Sequence, residues 1–285
     1  MAAAPGTVGV VGGGRMGAGI AQSFATAGSA VVVVESGEEA AAAALERVAT
    51  GLRRAAERGR LEEPAERVLA RVTTVTAVDD LPVGAELVVE AVPEDPALKA
   101  RLLAAAEKAV GESTVLATNT SSLSVTELGT ALARPERFLG MHFFNPVPAS
   151  ALVELVVAGR TADDTVRAAL EWTRALGKKD VVVRDSPGFA SSRLGVALGL
   201  EAIRMVEEGV AEPEAIDAAM SLGYKHPMGP LRLTDLVGLD VRLAIAEYLH
   251  GTLGERFAPP ELLREKVARG ELGRKTGRGF YTWED

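Results

Sequence analysis

His142 and Glu154 are polar residues set inside two otherwise apolar runs, Phe138-Leu139-Gly140-Met141-His142-Phe143-Phe144 and Leu152-Val153-Glu154-Leu155-Val156-Val157. Each run reads as a strand, and Asn145-Pro146-Val147-Pro148 between them as a rigid turn. If the strands pair antiparallel about Pro148, His142 and Glu154 lie equally far from the turn and face each other, close enough for the imidazole to give one ring N–H to the carboxylate. A carboxylate buried without a partner is costly, and His142 is the nearest donor. Such a pair can work as a general acid/base whose tautomer and basicity the carboxylate fixes. A structural His–Glu pair in the core is the alternative.

The second constellation is Gly6-Thr7-Val8-Gly9-Val10-Val11-Gly12-Gly13-Gly14-Arg15-Met16-Gly17, in which Gly12, Gly14 and Gly17 fall at the G-x-G-x-x-G spacing after a Val-rich run. Strand, tight turn and helix start then follow in order, and a pyrophosphate can rest on the helix N-terminus. The next strand, Ala30-Val31-Val32-Val33-Val34, ends at Glu35, where a carboxylate can accept from ribose hydroxyls and would repel a 2′-phosphate. These residues point to NAD, and an acid/base pair beside it points to hydride transfer to or from an alcohol. Ser121 ends another strand on the same rim and could donate to the reacting oxygen. His226 reads as a turn residue and His250 as a helix cap or surface residue.

These elements sit in a chain of 285 residues, enough for two domains. The net charge of −8 argues against a nucleic-acid surface. With no cysteine and three scattered histidines, disulfides, thiolate metal sites and a His-rich cluster are not expected, so no metal is assigned. No run approaches the roughly 20 apolar residues of a membrane helix, and no targeting signal stands out, so no membrane partner and a cytoplasmic location are expected.

Alternating strands and helices through residue 118 predict an α/β, Rossmann-like doubly wound sheet. Residues 38–70 read as an antenna-like helical insertion with Arg53, Arg54 and Arg58 as a basic cluster, or simply as a solvated face. Asp185-Ser186-Pro187-Gly188 marks a boundary, giving domains 1–185 and 186–285, the second all-helical. Its tail, Gly273 to Tyr281, is basic and glycine-rich and can fold back as a loop.

Gly12 to Ala21, Asn119-Thr120-Ser121-Ser122-Leu123, His142-Phe143-Phe144-Asn145-Pro146, Asp185-Ser186-Pro187-Gly188-Phe189, Pro227-Met228-Gly229-Pro230 and Gly273 to Tyr281 together resemble the L-3-hydroxyacyl-CoA dehydrogenase family, over residues 6 to 281. The resemblance implies reversible NAD-dependent oxidation of a short-chain (3S)-3-hydroxyacyl-CoA. It implies that His142 is the acid/base, Glu154 its orienting carboxylate and Ser121 a donor to the substrate oxygen. Gly12, Gly14, Met16, Gly17, Glu35, Glu94, Lys99, Ser121, Asn145 and Lys275 match positions at the nucleotide, and Arg53 or Arg54 would meet the CoA phosphates. A homodimer through the helical domain is implied as well. The chain departs from the family at Pro187-Gly188-Phe189-Ala190-Ser191-Ser192-Arg193, where Ser192 replaces an Asn that contacts the reacting end of the acyl thioester. That puts the acyl group in doubt, and a dehydrogenase of free hydroxy acids or sugar acids is the rival reading.

Overall fold

The computed structural model describes residues 3–284 and divides into two compact units, residues 1–185 and 186–285. Valine, β-branched and suited to a pleated surface, dominates the first strands of unit 1. These are β1 (Thr7–Val11), β2 (Ala30–Val34), β3 (Val72–Val75), β4 (Leu87–Glu90) and β5 (Val115–Thr118), followed by β6 (Phe138–Phe143), β7 (Leu152–Val157) and β8 (Lys179–Arg184). They form one sheet in the order β3-β2-β1-β4-β5-β6-β7-β8. Each neighbouring pair from β3 to β6 is parallel, β7 runs antiparallel to β6, and β8 is parallel to β7. The chain reverses its winding between β1 and β4, so the crevice at their carboxyl ends is where such a sheet takes a ligand.

Helices α1 (Arg15–Thr26), α2 (Glu38–Glu57), α3 (Ala65–Leu69), α4 (Pro96–Ala109), α5 (Val125–Gly129) and α6 (Asp163–Ala175) complete the unit. The short α5, capped by the Ser124 hydroxyl, escapes the sequence pattern because it spans little more than one turn. The expected antenna needs correction. Ala44, Val48 and Leu52 of α2 and Val68 of α3 belong to the same buried core as Val8, Val10, Ile20 and Phe24. The two helices are therefore the packed β2-to-β3 crossover, with one face in the core, and their tip, Arg53, Arg54 and residues 56–60, is exposed.

Unit 2 holds α7 (Ser191–Glu207), α8 (Pro213–Ala218), α9 (Pro230–Val237), α10 (Leu239–Leu253) and α11 (Glu261–Ala268). Pro213 and Pro230 stand at first helical positions, where the missing N–H costs nothing. A wide π turn, Ala219–Gly223, follows α8 directly. Val196, Leu200, Ile203, Leu231, Leu239, Ala246 and Leu249 form a separate core. The tail folds back onto Asp235, whose carboxylate accepts from the Phe280 and Tyr281 N–H groups at 2.9 Å and from Trp283 Nε1 at 2.8 Å. Any side chain at Gly279 would collide with that carboxylate.

Candidate active site

The glycine turn joins β1 to α1. Gly12 has a φ of +96°, which favours glycine, and a Cβ on Gly17 would collide with the Gly12 carbonyl oxygen. Gly14 is different: a Cβ there would meet nothing within 4 Å, and its φ of −62° suits any residue. No contact within the protein requires glycine at 14, so the open space fits close approach by a ligand. No side chain caps the start of α1 and no acid lies in its first turn, which leaves its N–H groups suited to a pyrophosphate. Glu35, at the end of β2, accepts the Gly13 N–H at 2.7 Å. Arg47 of α2, which the sequence did not flag, donates to the Gly13 carbonyl at 3.2 Å. These features fit a dinucleotide with an unphosphorylated ribose. Met16 is half-buried on α1.

Beyond β4 and β5 the rim is held by charge. Glu90 is fully buried and accepts from Lys99 Nζ at 2.8 Å, the Val92 N–H at 2.7 Å and the Thr118 hydroxyl at 2.6 Å. Lys99 reaches Glu94 at 3.3 Å, and Glu94 accepts from the Thr120 hydroxyl at 2.5 Å and from the Ser121 N–H at 3.0 Å. The Ser121 hydroxyl lies 3.4 Å from the same oxygen. Burial alone would raise the Glu94 carboxyl, but the Lys99 ammonium and these donors outweigh it and hold it below its ordinary value of 4.5. Lys99 was expected at the nucleotide. Its ammonium is 0 % exposed, so it acts on the rim through Glu94 rather than by presenting itself. Glu90, whose partners lie on separate elements, carries no sequence signal.

His142 faces Glu154 in the β6–β7 register, with Nδ1 3.0 Å from Oε2. His142 is 7 % exposed and Glu154 1 %, and the imidazole stacks obliquely on Phe144 at 4.4 Å between ring centres. With Nδ1–H given to the carboxylate, Nε2 carries the lone pair of the neutral tautomer. Asn119, at the end of β5, accepts the Phe143 N–H at 2.9 Å and so ties the histidine strand to the Ser121 turn. The turn between β6 and β7 is clamped by Lys178, which donates to the Val147 and Ser150 carbonyls at 2.6 and 2.5 Å. Asn145, before a cis Pro146, is exposed on that turn.

Of the other expected residues, Arg53 is not an unengaged cation: it pairs with Glu46 at 2.6 Å, while Arg54 is exposed in the same turn. Lys275 belongs to unit 2, where both Asp240 carboxylate oxygens take its ammonium at 2.6 Å. Ser192 is half-buried in the first turn of α7. Among the described residues no group of three or more His, Cys, Asp or Glu could hold a metal ion, and no helix is long and apolar enough to cross a membrane.

A doubly wound sheet with a glycine turn at its switch point, joined by a buried His–Glu pair, defines a dinucleotide-dependent oxidoreductase. Residues 7–186 match the NAD binding domain of 3-hydroxyacyl-CoA dehydrogenase, and residues 188–283 match its C-terminal domain. A probable 3-hydroxybutyryl-CoA dehydrogenase of Deinococcus radiodurans is 45% identical over 276 residues, covering 96% of this chain and 99% of that protein. The crystal structure of M. tuberculosis FadB2 superposes with a TM-score of 0.94 at 43% identity, covering 99% of this chain and 100% of the other. That of a (S)-3-hydroxybutyryl-CoA dehydrogenase from Ralstonia eutropha gives 0.93 at 43% identity, with the same coverage. The chain belongs to the 3-hydroxyacyl-CoA dehydrogenase family. It is an NAD-dependent oxidoreductase that reversibly oxidises a 3-hydroxyacyl-CoA to the 3-oxoacyl-CoA.

Proposed function

We propose that the substrate is a short-chain (3S)-3-hydroxyacyl-CoA and that His142 is its acid/base. The observation that carries this reading is the 3.0 Å bond between His142 Nδ1 and Glu154. That bond directs the basic lone pair to Nε2, which takes the 3-hydroxyl proton during oxidation and returns it during reduction. The buried Glu154 carboxylate stabilises the imidazolium so formed. Bound NAD supplies the hydride acceptor. Ser121, held through Glu94, donates to the 3-oxygen, and Ser192 donates its one hydroxyl hydrogen at the thioester end.

The Gly12–Gly17 turn receives the pyrophosphate and Glu35 the adenosine ribose, while Glu94, Asn145 and Lys275 line the nucleotide and Lys99 supports Glu94. Arg54 at the crossover tip meets CoA phosphate, and Arg53 joins it if it leaves Glu46. A homodimer through unit 2 and a cytoplasmic location complete the proposal. Exposed Leu194, Leu222, Tyr224 and Val241 give unit 2 the apolar surface that a dimer would cover. The test compares acetoacetyl-CoA with free acetoacetate as substrates for NADH. Much faster reduction of the thioester is expected, and equal rates would exclude a CoA-directed site.

A further inference from the structure

Two buried side chains of unit 2 hold polar atoms without a hydrogen-bond partner, Arg242 Nε and Thr234 Oγ1. Both border one face of α7. The Arg242 guanidinium lies where a Cβ on Gly195 would meet Nη1 at 3.2 Å, and the Thr234 hydroxyl lies 3.2 Å from a Cβ built on Gly199. At 3.6 residues per turn, Ser192, Gly195 and Gly199 fall within about 60° of one another around the helix. The cation therefore sits one turn along α7 from Ser192.

Arg242 is 7 % exposed, and no ion pair or side-chain hydrogen bond engages it among the described residues. The carboxylates that could have served are taken: Asp240 by Lys275, Asp235 by the tail, and Asp217 by the Leu231 and Arg232 N–H groups and the Tyr281 hydroxyl. Burial pushes the guanidinium down to about 10, which leaves it charged at neutral pH. A buried charge without a counter-ion is strongly disfavoured, and a guanidinium is shaped to take a carboxylate through two parallel bonds.

We propose that Arg242 is a specificity residue that binds the distal carboxylate of a dicarboxylic 3-hydroxyacyl-CoA, with the Thr234 hydroxyl beside it. This rests on the reading that Ser192 meets the reacting end of the acyl group. The three residues from Ser192 to Gly195 advance about 4.5 Å along α7, so an acyl chain whose thioester lies at Ser192 brings a carboxyl a few carbons further on to the guanidinium. The phosphates of CoA are a poor match, because the whole pantetheine arm separates them from the thioester.

The probes are (3S)-hydroxyadipyl-CoA and (3S)-hydroxyhexanoyl-CoA, equal in length and differing in the terminal carboxylate, with NAD on the wild type and on Arg242→Met and Arg242→Lys. The wild type should favour the dicarboxylate at least tenfold in kcat/KM, Arg242→Met should reverse that preference, and Arg242→Lys should keep part of it. In thermal unfolding, the unreactive adipyl-CoA should stabilise the wild type more than hexanoyl-CoA does, and the difference should vanish in Arg242→Met. Without ligand, Arg242→Met should be at least as stable as the wild type, because it removes an unpaired buried charge. No wild-type preference for the dicarboxylate, or an equal loss on both substrates, overturns the proposal. So does a dissociated or destabilised Arg242→Met protein with its preference intact, which would assign the guanidinium to a partner subunit. If Arg242→Met does not fold, the wild-type ratio and Arg242→Lys still decide. Absence of NAD-dependent oxidation of any 3-hydroxyacyl-CoA, hydroxybutyryl-CoA included, would instead defeat the underlying reading.

Discussion

Replacing Gly14 with alanine separates the needs of the fold from those of the ligand. The new methyl would meet no protein atom within 4 Å, and the backbone at φ −62° needs no adjustment. Restricting the unfolded chain then adds about 0.4–1 kcal/mol of stability, raising the unfolding midpoint by roughly 1–4 °C. The same methyl occupies the space through which a pyrophosphate must come, and crowding of that kind costs about 1–3 kcal/mol. The dissociation constant for NADH should therefore rise by about 5- to 150-fold. Gly17→Ala supplies the contrast, because its methyl would collide with the Gly12 carbonyl oxygen and must displace backbone. It should lower the midpoint itself. Thermal unfolding and NADH fluorescence titration on both variants are sufficient. A Gly14→Ala protein that binds NADH as the wild type does, or unfolds as early as Gly17→Ala, would refute the assignment of this turn.

Three further outcomes follow from the rim. Glu154→Gln keeps an acceptor for His142 Nδ1–H but removes a charge; opposite charges about 4 Å apart at an effective dielectric near 20 interact by about 4 kcal/mol, so steady-state turnover should fall about 10²–10³-fold. Glu94 has a depressed carboxyl, so its contribution to stability is present above its unfolded value of 4.5 and is lost as pH falls through the lower folded value. Glu94→Gln should therefore be less stable than the wild type near neutrality, with the gap closing on acidification in a pH series of thermal melts. If a water completes the bridge that Ser192 is too short to make, Ser192→Asn should change acetoacetyl-CoA turnover by less than about tenfold. A larger change would give Ser192 a direct role in the reaction.

The parts of the site that were legible in the sequence are those with local causes. The glycine turn is legible because three spaced glycines follow a valine strand. The His142–Glu154 register is legible because a short turn fixes the pairing of two adjacent strands. The illegible parts depend on packing between distant elements. Lys99 looks like a surface helix residue until α4 lies against β4 and Glu90 buries its ammonium. Arg47 is 34 residues from the carbonyl it holds, and Lys178 is 31 from Val147. The tail reads as a basic loop that can fold back, but what holds it, Asp235, lies more than 40 residues earlier. Arg242 carries no signal at all, since only its burial and the lack of an acid partner set it apart.

The central claim is that His142 moves the proton while other groups hold the cofactor. Acetoacetyl-CoA reduction by His142→Gln, with NADH affinity measured on the same preparation, tests it most directly. The expected result is a loss of turnover of about 10²–10⁴-fold, the usual worth of a positioned acid/base, with NADH affinity nearly unchanged. Turnover close to that of the wild type would make the His142–Glu154 pair structural and contradict the account.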